Sequence, residues 1–104
     1  MTGLTEEQLD YYKNKGYVSP INALTSAEAK EIRDEIEKIE KDWPGALEGL
    51  NRNYIHLLSP VFNKVCLNRN ILDAVESIIG QNILICGTTL FIKNPNEKGF
   101  VSFH

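Results

Sequence analysis

Cysteine is scarce in this chain. Only Cys66 and Cys86 occur among its 104 residues. They form neither a Cys-x-x-Cys pair nor a Cys/His spacing suited to zinc, so both are expected to be reduced, buried, small hydrophobes. Positive charge is also in short supply. Eleven Lys and Arg stand against fourteen Asp and Glu, for a net charge of -3, and the pI of about 5.3 speaks against a general nucleic-acid binder. No apolar run approaches the ~18–20 residues of a membrane span. The opening MTGLTEEQLDYYK has no basic n-region and no apolar h-region, so no signal peptide is visible and the cytoplasm is the expected compartment. What remains is ordinary globular composition, 42% hydrophobic and 24% charged, in a length that fits one domain or part of one.

The charge is unevenly placed. Residues 1–50 hold eleven acidic and six basic side chains, and residues 51–104 hold three acidic and five basic ones. An acidic front and a mildly basic back allow a small anionic ligand in the back half. The alternative is simply solvated helix faces in front, the usual meaning of such charge runs.

Two capping boxes punctuate the front half. Thr5 with Gln8 starts a helix that should run to about Lys15 and close at Gly16. Thr25 with Glu28 starts a second, over 26–42. There Ala29, Ile32, Ile36, Ile39 and Trp43 recur at intervals of three and four, which lines one stripe and leaves Glu and Lys on the other face. That stripe, Trp43 included, is expected in the core. Pro44-Gly45 ends the helix and residues 45–55 read as a loop. Ser59-Pro60 can cap and open a short helix with Val61, Phe62, Val65 and Cys66 on one face. Asn70 can cap the next, with Ile71, Leu72, Val75, Ile78 and Ile79 inward and Gly80 closing it.

Residues 83–92 contain ILIC and TTLFI. So apolar and β-branched a run predicts a buried strand. After the polar turn at 93–99, residues 100–104 (FVSFH) read as the start of another. A domain that stops inside an apolar strand leaves backbone groups and side chains without partners. The expectation is therefore an α+β fold, helical over about 5–80 with strands at about 83–92 and 100–104. On this reading residues 1–104 are the N-terminal portion of a single domain whose remainder is absent.

Three stretches, LTEEQLDYYKNKGYV, ILDAVESIIGQNILICGTTLFIKNP and FVSFH, occur in this order along the chain. Together they resemble the phytanoyl-CoA dioxygenase family, over nearly all of this chain but only the first part of the family domain. The resemblance implies an iron(II)- and 2-oxoglutarate-dependent oxygenase built on a double-stranded β-helix, or jelly-roll. It also implies that His104 opens an H-x-D motif and is a metal ligand. Phe103 stands where the family usually has Trp. On a strand, residues i and i+2 point to the same side, so an imidazole and a carboxylate at that spacing can share one metal. A distant second His completes the family's facial triad and leaves positions open for 2-oxoglutarate and oxygen.

Three further residues are candidates. Arg52 falls where some family members carry a basic residue near 2-oxoglutarate, and is otherwise an exposed loop arginine. Thr89 matches a position that faces the co-substrate, or else satisfies a backbone group. His56 matches a segment near the active-site mouth where substrate enters, or else is a helix-entry histidine bonded to backbone. Lys93 could steer an anion or be a solvated edge charge.

The implied activity is hydroxylation of an unactivated C–H in a small organic or acyl substrate. One alternative is a non-haem iron halogenase of the same family, in which a small residue replaces the carboxylate of H-x-D. Another is a non-enzymatic helical binding or oligomerisation module. The partners expected are a small-molecule substrate and, through exposed strands, further copies of the chain, with neither nucleic acid nor membrane involved. With one ligand of three, residues 1–104 alone are expected to be inactive.

Overall fold

The computed structural model describes residues 3–96, 98 and 99. The order is α1 (Glu6–Lys15), α2 (Ser26–Asp42), a 3₁₀ turn (Gly49–Asn53), α3 (Ile55–Leu58), α4 (Pro60–Cys66) and α5 (Arg69–Ile79). Both capping boxes form as the sequence predicts. Thr5 accepts from the Gln8 N–H while Gln8 reaches back to the Thr5 N–H, and Thr25 and Glu28 do the same. Each box satisfies two N–H groups that a helix start leaves without partners. Gly16 closes α1 with a φ of 81°, in the left-handed region that glycine enters without steric cost. Beyond it the Tyr11 and Tyr17 rings meet edge to face, centroids 5.5 Å apart. Their hydroxyls lie 2.9 Å apart, which raises the Tyr11 phenol above its ordinary pKa.

The core is small. Ile39 from α2, Leu47 from the following loop, Ile55 from α3 and Phe62 from α4 pack together, with Ile32, Ile36, Ala46 and Leu90 against them. The isoleucine stripe of α2 thus faces inward as expected. The ion pairs Lys30–Asp34 and Arg33–Glu37 occupy its exposed face. No side chain among the described residues is completely enclosed. The radius of gyration is 16.0 Å, against about 13 Å for a compact chain of ~100 residues. Polar ties hold the periphery: the Leu4 N–H donates to Ser77 Oγ and the Asn70 side chain to the Ala23 carbonyl.

The α+β expectation is overturned. Of the described residues 56% are helical, and no strand occurs among them, so none of the jelly-roll strands expected here is present in them. Residues 83–92 carry a strand's composition without its ladder. Among the described residues only the Thr88 and Leu90 N–H groups bond across, to the carbonyls of Asn53 and Arg52. A ladder needs a second extended segment, and 52–53 lies in a 3₁₀ turn. Burial fails with it: Leu84 is 92% and Phe91 72% exposed. The strand expected at 100–104 lies outside the described residues.

The next corrections arise because capping and periodicity fix a helix but not what covers it, and the rest concern caps, loop and cysteines. Trp43 is 61% exposed because it falls on the cap beyond the last turn of α2. Ile78 and Ile79 are exposed on the last turn of α5. Asn68, not Asn70, caps α5 by accepting from the Ile71 N–H. Ser59 precedes Pro60 at the start of α4 but makes no capping bond. Part of the expected 45–55 loop is the 3₁₀ turn. Both cysteines are free, but Cys86 is exposed and Cys66 only half-buried.

Candidate functional site

The candidate residues sit where two distant segments meet. The 3₁₀ turn ends in Arg52 and Asn53, and their carbonyls accept from the Leu90 and Thr88 N–H groups at 3.1 Å each. One helical turn on, His56 Nδ1 lies 3.0 Å from Thr88 Oγ1. Thr89 Oγ1 donates to Asn53 Oδ1 at 3.4 Å, a long bond of modest strength. Residues 52–56 thus hold residues 88–90 by backbone and side chain together. Leu90 carries that attachment into the core.

His56 is buried. Its partner is the Thr88 hydroxyl rather than a backbone group, so the helix-entry alternative fails in its detail. Thr89 is exposed and bonds to a side chain. Neither partner was visible in the sequence. Thr88 is the inward threonine, and Asn53, which receives bonds from both threonines, gave no signal beyond lying in a polar loop. The useful clue was the alternation of Thr88 and Leu90 on one face of an extended run.

Arg52 is exposed and borders a cleft of about 510 Å³ between the end of α2 and the extended segment. Leu47, Leu90 and Ile92 supply its apolar wall, and Glu40 and Glu48 border it with Arg52. One guanidinium facing two carboxylates does not favour a dianion by charge alone. Lys93 is exposed, near the end of the same segment.

No group of three His, Cys, Asp or Glu side chains that could hold a metal occurs among the described residues. His104 lies outside them. The described residues therefore do not by themselves fit an iron centre. No helix among them is long and apolar enough to cross a membrane. No family model matches the chain, and neither a curated protein nor a solved structure matches it.

Proposed function

We propose that this chain is part of an iron(II)- and 2-oxoglutarate-dependent oxygenase of the phytanoyl-CoA dioxygenase family, acting in the cytoplasm on an unactivated C–H of a small organic or acyl substrate. The observation that supports this reading is the junction of 52–56 with 88–90. Arg52, His56 and Thr89 are the three residues that the resemblance puts near co-substrate and substrate. Arg52 and His56 share one short segment, Thr89 lies on a second one distant in sequence, and the two segments are joined by four hydrogen bonds. His104 follows the same extended segment in sequence and has the role of metal ligand.

Iron would supply oxygen activation, and residues 1–104 would supply one ligand and a scaffold. The role of this chain's own groups is positional. The Asn53 and Arg52 carbonyls fix the 88–90 backbone, His56 holds the Thr88 hydroxyl, Arg52 offers its guanidinium to a carboxylate at the cleft, and Leu90 and Ile92 supply its apolar wall.

The test has two stages. In the 104-residue chain, 2-oxoglutarate should shift the amide resonances of Arg52, Thr88 and Thr89, and Arg52→Ala should abolish the shifts. In the chain extended through the residues that follow His104, succinate should form from 2-oxoglutarate only with iron(II) present, and His104→Ala should remove iron binding while leaving helical circular dichroism unchanged. Retained iron affinity in that variant refutes the ligand assignment. Chloride-dependent halogenated product would move the chemistry to the halogenase.

A further inference from the structure

A second cavity shares Leu47 with the cleft beside Arg52 and uses none of the residues assigned to metal, co-substrate or substrate. It measures about 280 Å³ and opens between the end of α2, the following loop and the start of α4. Its lining includes the buried side chains Ile39, Leu47 and Ile55, and buried Ser59. Trp43 and Leu58, each 61% exposed, stand at its mouth.

Ser59 is the anomaly. The residue is 5% exposed, and its Oγ is the one buried side-chain oxygen or nitrogen without a hydrogen-bond partner among the described residues. Its backbone is fully used, the N–H donating to the Ile55 carbonyl and the C=O accepting from the Asn63 N–H. A hydroxyl withdrawn from water with no partner is unfavourable, and such groups in folded proteins are as a rule satisfied by something. Glu35 and Lys38 also border the cavity. Their opposite charges, less than one helical turn apart on α2, leave no preference for a charged guest.

We propose that this cavity binds a small, uncharged, mainly apolar molecule bearing one oxygen that hydrogen-bonds to the Ser59 hydroxyl. A turn about the Ser59 Cα–Cβ bond between staggered positions brings Oγ to such an oxygen. At the ~30 Å³ that each water occupies in the liquid, the space suits roughly nine non-hydrogen atoms. The apolar body covers Ile39, Leu47 and Ile55, and Trp43 closes over it.

Cyclohexanol and methylcyclohexane test this as a pair of nearly equal shape, differing in the oxygen. Trp43 is the only tryptophan, so its emission reports occupancy, and amide resonances locate it. The expected result is saturable cyclohexanol binding, a blue shift of Trp43 and shifts centred on Ile39, Leu47, Ile55 and Ser59. Ser59→Ala should weaken cyclohexanol by roughly three- to tenfold, the range of one neutral hydrogen bond, and leave methylcyclohexane unchanged. Ala46→Phe, which adds a ring to the lining, should block both. Equal affinity for the two probes in the unmodified chain overturns the proposal even if a variant fails to fold. So do shifts scattered over exposed Leu84 and Phe91, or the absence of saturable binding, which would leave Ser59 to an ordered water.

Discussion

His56 Nδ1 and Thr88 Oγ1 meet at 3.0 Å across a sequence separation of 32 residues. The contact joins a four-residue helix too short to be stable alone to a segment that has no ladder among the described residues. Each side gains from the other: the imidazole is buried with a partner, and the extended segment gains an anchor beside the Thr88 and Leu90 backbone bonds.

Thr88→Val keeps the shape and removes the hydroxyl. The buried His56 nitrogen is then left without its partner, a loss of about 1–3 kcal/mol for a buried polar group. Urea denaturation should show that loss. The Leu90 amide should exchange faster in the variant, because its bond to the Arg52 carbonyl depends on the same anchor. Unchanged exchange at Leu90 would show that the backbone bonds hold the segment without the side chains.

The helices were legible because their signals are local. Thr5 with Gln8 and Thr25 with Glu28 are each complete within four residues, and the Ile32, Ile36, Ile39 stripe needs only helical geometry to face one way. The 83–92 segment was not legible for the opposite reason. Composition can give it extended backbone, but a strand is a relation to a second segment, and the 3₁₀ turn at Asn53 offers only two acceptors. The site was half legible. Arg52, His56 and Thr89 fall on the two segments that meet, whereas the Thr88 and Asn53 pairings depend on the turn before Tyr54, which no local pattern specifies.

The Glu28 carboxyl is held below its ordinary pKa of 4.5, chiefly by the Thr25 backbone N–H, then by the Thr25 hydroxyl, with a smaller contribution from Lys64. A carboxyl whose pKa is depressed by folding adds stability above its unfolded pKa, and that stability is lost as pH falls through the folded value. Acidification from about pH 5 should therefore loosen the start of α2 before its middle. A carbon-detected titration of Glu28 should show the lowered midpoint. In Thr25→Ala the hydroxyl contribution disappears and the midpoint should rise towards 4.5.

Ser59→Ala removes a buried hydroxyl without a partner and leaves the Ile55 and Asn63 backbone bonds in place. Most substitutions destabilise. This one should instead raise stability by about 1 kcal/mol, since the desolvation cost of the hydroxyl is removed with it. Thermal unfolding followed by circular dichroism measures the change. A lower melting temperature would show that the hydroxyl is bonded in solution.

The uncovered 82–92 segment should make the 104-residue chain self-associate. It contains no charge and no proline, the two devices that most simply keep an open edge from pairing. Leu84 and Phe91 project from it at 92% and 72% exposure, and among the described residues only two of its N–H groups are engaged by backbone elsewhere. The net charge of -3 opposes association weakly, and it resides in the front half, away from this segment in sequence. Sedimentation velocity should show a weight-average mass that rises with concentration. Leu84→Lys with Phe91→Lys places like charges on every copy of the segment and should return the protein to a monomer, with α1 to α5 intact by circular dichroism. Self-association that survives the double substitution would place the contact elsewhere, at the exposed Trp43, Leu57 and Leu58 around the start of α4.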